Sequence, residues 1–404
     1  MSNTLKFGNG EWYGKEGAIL AYNSENKNYK PLPFTFDRAS SATRVNKAGL
    51  IETVGADQPR IDYLNNSKGA LLLEPSRTNL ITYSEDFTQW GKLIDGSGVL
   101  PIVTSNFTIS PDGTQNADKI VFSRTSSGGS DYTLIKSDYG GADINGTASI
   151  YLKAESNVDI EITSDDLNYK TINVTTDWKR FEVSDITSDR LTFGLRGSEP
   201  STLNATVYAW GGQLEEGIYP TSYIPTNGSA VTRAAETCNG SGDVDTFNDS
   251  EGVLMAEISA FEYPVTLNNW LTITDGSINN SIGILFESTG KVVARHEIGG
   301  VNYSFLTHTI DYTNALKVVF KYKLNDLQLW INGYKVSVLA NSPIFPNNTL
   351  NSLQLQYGGG GNTFHGNTKQ LQYFDTALSD TELEQLTSWD SFRDMAQAQL
   401  YTIE

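Results

Sequence analysis

A chain of 404 residues is long enough for two or three domains, each able to bury its own core without staples. Its formal net charge of −18 argues against nucleic acid and against anionic membrane surfaces, because both draw their affinity from Lys and Arg. One cysteine, Cys238, excludes an intrachain disulfide, and no apolar run is long enough to span a bilayer, so membrane insertion is not expected.

Gly 36, Tyr 20 and Phe 17, set among short alternating runs rich in Thr, Ser and Asn, predict an all-β chain with many turns. Residues 1–75 are the least regular part, read as a small β-rich attachment region. Its N-terminus has no apolar segment of the kind a secretory leader needs, so none is expected. Within it, "FTFDRASSATRVNKAGLIETV" reads as two strands joined by a turn at Asn46–Gly49. Arg38, Arg44, Arg60 and Arg77 lie among Asp37, Glu52, Asp57, Asp62 and Glu74, a spacing expected to form a solvated lattice of ion pairs or an interface to a partner subunit.

From 76 to 218 the period is two. Ala148, Ile150, Leu152 and Ala154 share one face, as do Val158, Ile160 and Ile162, which is the pattern of a β-sandwich. Residues 219–236, "YPTSYIPTNGSAVTRAAE", are different: Pro220 and Pro225 forbid helix, and Tyr219, Tyr223 and Ile224 are too apolar for a free tether. This strap closes a domain over 76–236, and a second antiparallel sandwich is expected over 237–378. There Asn332-Gly333 in "LWINGYKV" is the favoured pair for a tight hairpin turn. Residues 379–404 predict a helical cap of two short helices, the first opened by Ser379 three residues before Glu382.

As a set, "FTFDRASSATRVNKAGLIETV", "LLLEPSRTNLITYSEDFTQW" and "GGQLEEGIYPTSYIPTNGSAVTRAAE" resemble segments that recur together in tailed-phage fibre and appendage proteins. The middle region resembles a carbohydrate-binding-module-type jelly roll, and "WINGYKV" followed by "QYFDTALSDTELEQLT" is similar to the end of a laminin-G or concanavalin A-like lectin domain. The resemblance implies two antiparallel sandwiches in series within a virion structural protein, assembled in the bacterial host cytoplasm and homotrimeric. It further implies contact with other virion proteins through the N-terminal region and binding of host-surface or environmental polysaccharide. The strap would then cover the edge of the jelly roll with its tyrosines.

No catalytic motif stands beside that expectation. His296, His308 and His365 have no paired metal spacing, and no nucleophile elbow, phosphate loop or dinucleotide fingerprint is present, so catalytic residues are expected to be none. The acids in "SEDFTQW" and "QLEEG" are candidates for glycan cleavage by residue type alone, which keeps a depolymerase as the alternative, beside a purely structural decoration protein. No cofactor is expected. Related folds often hold a structural Ca²⁺, for which Asp243, Asp245, Asn248, Asp249 and Glu251, or Asp131 and Asp138, are the acids to inspect.

Sugar recognition calls for aromatic faces beside compact polar groups. Two loops offer them: "QYGGGGNTFHGN", with Tyr357, Asn362, Phe364 and His365, and "LNNWLTITDG", with Asn269, Trp270 and Asp275.

Overall fold

The computed structural model describes residues 1–24, 26–198, 200–261, 269–391 and 395. The chain is all-β and divides into two compact units. One comprises Met1–Ala39, Gly55–Pro75 and Ala235–Glu404, the other Ser40–Val54 and Ser76–Ala234. The first 75 residues are therefore not a separate attachment region, since they are shared between the two units. Strands Leu5–Gly8, Ala18–Asn23 and Asn28–Asp37 need edges to satisfy their backbone donors and acceptors. The first finds one on strand Gly366–Phe374, with Leu5 opposite Tyr373 and Phe7 opposite Leu371, and the other two extend the sheet from it.

In the first unit one sheet runs in the order Thr237–Asn239, Asn28–Asp37, Ala18–Asn23, Leu5–Gly8, Gly366–Phe374, Glu251–Ala260, Leu316–Lys323, Leu327–Ile331, Tyr334–Leu339. The second sheet runs Val301–Thr309, Lys291–Ile298, Ser281–Glu287, Asn269–Thr274, Ser352–Gln354. Alternate residues of both meet in one core, where Leu254, Ala256, Val318 and Phe320 cluster with Ile273, Ile284, Phe286 and Val292. The hairpin at Asn332-Gly333 takes the left-handed φ values, 48° and 88°, that a two-residue turn requires, and pairs Ile331 with Tyr334. Helix Asp380–Thr387 opens with the capping box of Ser379 and Glu382, and buries Leu383 beside Val319, Trp330 and Phe374. The second expected helix, over "SFRDMAQAQL", lies largely outside the described residues.

In the second unit two antiparallel sheets face each other. One is ordered Gly91–Asp95, Tyr132–Asp138, Arg190–Arg196, Val158–Thr163, Lys170–Val174. The other is ordered Gly98–Thr108, Ala117–Arg124, Asn204–Glu216, Ile144–Ala154, Lys179–Ser188. Ala148, Ile150, Leu152 and Ala154 point into the shared core with Ile120, Phe193 and Val207, as their alternation requires. The strap is ordered against this unit. Tyr223 and Ile224 are buried, the Tyr223 ring lies 4.4 Å from that of Trp210, and Ile224 N–H donates to Gln213 Oε1 at 2.7 Å. Its end pairs as a short strand, Val231–Arg233, with Arg77–Asn79.

The expected lattice of surface ion pairs splits in two. Arg44 and Glu52 do form a half-buried pair at 2.8 Å across their hairpin. Arg38 and Arg60 instead lie in the interior of the first unit, where both bind Glu236, and Arg60 also binds Glu74 at 2.8 Å. Burial opposes the charge on Arg60, but the attraction of Glu236 and Glu74 outweighs it and raises the guanidinium above its ordinary value.

Candidate functional site

The residues expected to bind sugar are gathered in the first unit, where Phe364 and Trp270 serve as packing. Phe364 is 1% exposed and sits in the core beside Phe286, so it offers no face to a ligand. Trp270 is 4% exposed, its ring 4.3 Å from Tyr357 and grouped with Leu285 and Val293. The Arg295 guanidinium lies 5.4 Å from Trp270 and 5.6 Å from Tyr357, donates to the Tyr357 hydroxyl at 3.2 Å and pairs with Glu297. Tyr357, Asn362, His365 and Asn269 remain half-buried. Asp275 closes a turn, accepting from Ser277 N–H at 2.8 Å and Asn280 Nδ2 at 2.7 Å; against burial, these bonds hold its carboxyl below the ordinary value.

The glycine run has a conformational explanation. Gly359, Gly360 and Gly361 all take positive φ, and a side chain at Gly358 would meet the Ser277 carbonyl oxygen at 2.2 Å. The glycines thus make the turn and admit neighbouring backbone. The other histidine of note, His296, is 1% exposed, with its ring edge-on to Phe345 at 4.9 Å.

The acids considered for Ca²⁺ are engaged in loop geometry. Asp131 accepts from Ser97 N–H at 2.6 Å, Gly128 N–H at 2.7 Å and the Ser126 hydroxyl, which together hold its carboxyl well below the ordinary range. Asp138 pairs with Lys136 and Arg190, Asp243 caps the turn to Thr246, and Asp249 accepts from Leu350 N–H at 2.9 Å. Among the described residues no group of three or more His, Cys, Asp or Glu side chains is placed to share an ion.

A different concavity, within the second unit, brings polar chemistry together. A groove of about 470 Å³ is lined by Tyr83, Glu85, Asp86, Asn106, Asn116 and Asp118, and by Pro225 to Asn227 of the strap. The short helical turn Phe87–Gln89 positions its acids: Asp86 caps that turn through Thr88 N–H at 3.0 Å, and Asp118 accepts from Phe87 N–H at 3.0 Å and Asn106 N–H at 2.9 Å. Glu85 receives the Tyr223 hydroxyl at 2.7 Å and Asn116 Nδ2 at 3.1 Å.

Burial raises the Glu85 carboxyl above its ordinary value against the Tyr223 bond, and the charge on Asp112 adds to the rise. Burial raises Asp118 likewise, against its two backbone bonds. Three carboxylates, two amides from the sheet edge and one from the strap, with an aromatic ring and, among the described residues, no lining Lys or Arg, suit a hydroxyl-rich neutral ligand and repel an anionic one. The sequence pointed to Glu85 and Asp86 only by residue type. Asn106, Asn116, Asp118 and Asn227 carried no local signal.

No protein-family model matches the chain, and no curated protein matches it. Solved structures similar to it include the CBM40 domain of the Ruminococcus gnavus IT-sialidase bound to α2,3-sialyllactose (16% identity, 35% of this chain and 84% of that one, TM-score 0.30). Another is domain 4 of AbnA, a GH43 extracellular arabinanase of Geobacillus stearothermophilus, in complex with arabinotriose (11%, 43% and 84%, 0.31). A third is the LG4-5 region of the mouse laminin α1 chain (11%, 59% and 86%, 0.25).

Proposed function

We propose that the protein is a glycan-binding fibre or appendage protein of a tailed-phage virion, one that holds polysaccharide without cleaving it. The observation that carries the binding role is the groove in the second unit. Its carboxylates Asp86 and Asp118 are fixed by backbone N–H groups and its amide Asn116 by Glu85, and Tyr83 and the strap form its walls. Groups already held in place lose little freedom when a sugar arrives. The virion role rests on the sequence segments that resemble phage fibre proteins, as do assembly in the host cytoplasm and a homotrimer contacting other virion proteins. A structural Ca²⁺ forms no part of this reading.

One observation favours a second reading. Burial holds Glu85 above the ordinary carboxyl value in the same groove as Asp118, and a pair of carboxyl groups, one of them with a raised value, is what glycoside cleavage uses. Incubating the purified chain with host-surface polysaccharide, and following retention and reducing ends in one sample, separates the two. Retention without new reducing ends is expected. Asn227→Ala, an exposed change at the groove wall, should weaken retention several-fold, the scale of one lost hydrogen bond. Release of reducing ends that Glu85→Gln abolishes would establish the depolymerase instead. Light scattering of the same preparation is expected to give three copies, and a monomer would count against a self-standing fibre.

A further inference from the structure

The outer face of the sheet that contains Ala117–Arg124, Asn204–Glu216 and Ile144–Ala154 carries a continuous ladder of rings and ammonium groups. Lys119 stands directly opposite Tyr208 on the neighbouring strand, and Tyr208 stands opposite Lys153 on the next. Their neighbours Ile120, Val207 and Leu152 fill the core, so the pleat turns these three outward. The Phe107 ring stacks on Tyr208 with centroids 5.8 Å apart and planes at 17°, and Lys119 Nζ lies 4.8 Å from the Phe107 centroid. Lys153 Nζ lies between two rings, 5.5 Å from Tyr208 and 5.3 Å from Trp178. The Trp178 indole is fixed by its N–H bond to the Ile109 carbonyl at 3.0 Å. Among the described residues one acid touches the ladder: Glu155 accepts the Tyr208 hydroxyl at 2.7 Å and lies 3.9 Å from Lys119.

Two features set this face apart. Phe107 is 45% exposed, so its ring keeps a free face. In a chain of net charge −18, two ammonium groups among three aromatic side chains, with Glu155 the one carboxylate touching them among the described residues, make a locally positive strip. Rings lined up along a sheet stack on the C–H faces of successive pyranoses, and the lysines between them meet negative substituents.

We propose that the strip formed by Lys119, Phe107, Tyr208, Lys153 and Trp178 is a binding site for an acidic polysaccharide, taking pyranose rings on the Phe107 and Trp178 faces, with the buried Tyr208 ring stacked beneath Phe107, and uronate carboxylates on its lysines. It is distinct from the groove, whose carboxylates repel such a ligand, and it stands whether or not the groove binds sugar.

The test uses the full chain in affinity electrophoresis through polygalacturonate, with a neutral dextran and a poly(glycerol phosphate) as the other two arms. Retardation by polygalacturonate that weakens with added salt is expected. The double change Lys119→Gln with Lys153→Gln should weaken it by about tenfold, the scale of two exposed charge contacts. Lys153→Arg should keep it, and Phe107→Ala should reduce it with an unchanged circular dichroism spectrum. Asn227→Ala, at the groove, should leave it intact. Absence of retardation of the unmodified chain, or a double variant that runs like its parent, overturns the site. Equal retardation by the phosphate polymer, which has no pyranose ring to stack, overturns the aromatic half of the proposal.

Discussion

Replacing Glu236 by alanine is expected to destabilise the first unit by about 3–5 kcal/mol, the range found when one partner is removed from a buried ion pair. One carboxylate there answers two cations and a backbone donor. Oε1 accepts from Arg38 and from Arg60 Nε, each at 2.7 Å, while Oε2 accepts from the other arm of Arg60 and from Glu74 N–H at 2.9 Å. Arg38, Arg60 and Glu236 are at most 1% exposed, so water cannot replace the lost partner. Without Glu236 both guanidinium groups lie in the interior without the carboxylate they share, and the cost is that of desolvated charge.

Urea unfolding should show the effect as a shift in the transition of this unit, with the transition of the second unit unchanged. Glu236→Gln should also be destabilising, because it keeps the shape and removes the charge. A loss below about 1 kcal/mol in the alanine variant would mean that the pairs behave as surface pairs do.

The second large effect is expected from pH. Burial holds the His296 imidazole down to about 4, and its Nδ1 has no hydrogen-bond partner among the described residues. Between about pH 6.5, where a free histidine titrates, and about 4, the unfolded chain takes up a proton that the folded chain refuses. The stabilisation from keeping this ring neutral is therefore complete above about 6.5 and is lost as pH falls through that window, an amplitude of about 3 kcal/mol. Unfolding midpoints measured from about pH 7 down to about pH 4 should fall in the parent. Subtracting the curve of His296→Leu isolates this histidine from the other titrating groups of the chain. A difference that stays flat across the window would mean that His296 is solvated and protonates freely.

Some of the chain was legible because it depends on neighbours in sequence. The alternation of Ala148, Ile150, Leu152 and Ala154 assigns a face, since successive strand residues point to opposite sides. Asn332-Gly333 makes its turn because those two residues tolerate left-handed φ, and Ser379 with Glu382 caps a helix from three residues away. Each of these decisions is local, and composition together with alternation was enough for the all-β class.

Tertiary structure decided which free strand edges meet and which polar groups share a space. The first strands pair among themselves, and Leu5–Gly8 also binds Gly366–Phe374 across almost the whole chain. Loop-closure entropy grows only slowly with length, so no local pattern marks so distant a partner. The same holds for Arg38, Arg60, Glu74 and Glu236, whose residue types suggest a wet surface and whose burial depends on a mutual encounter. Trp270 and Phe364 have the composition of a sugar platform, but the layer covering them is set by packing, and it leaves both inside. Asn227 joins Glu85 and Asp118 in one groove because Tyr223 and Ile224 drive the strap onto the second unit, a hydrophobic contact that places a polar residue some hundred positions from its companions.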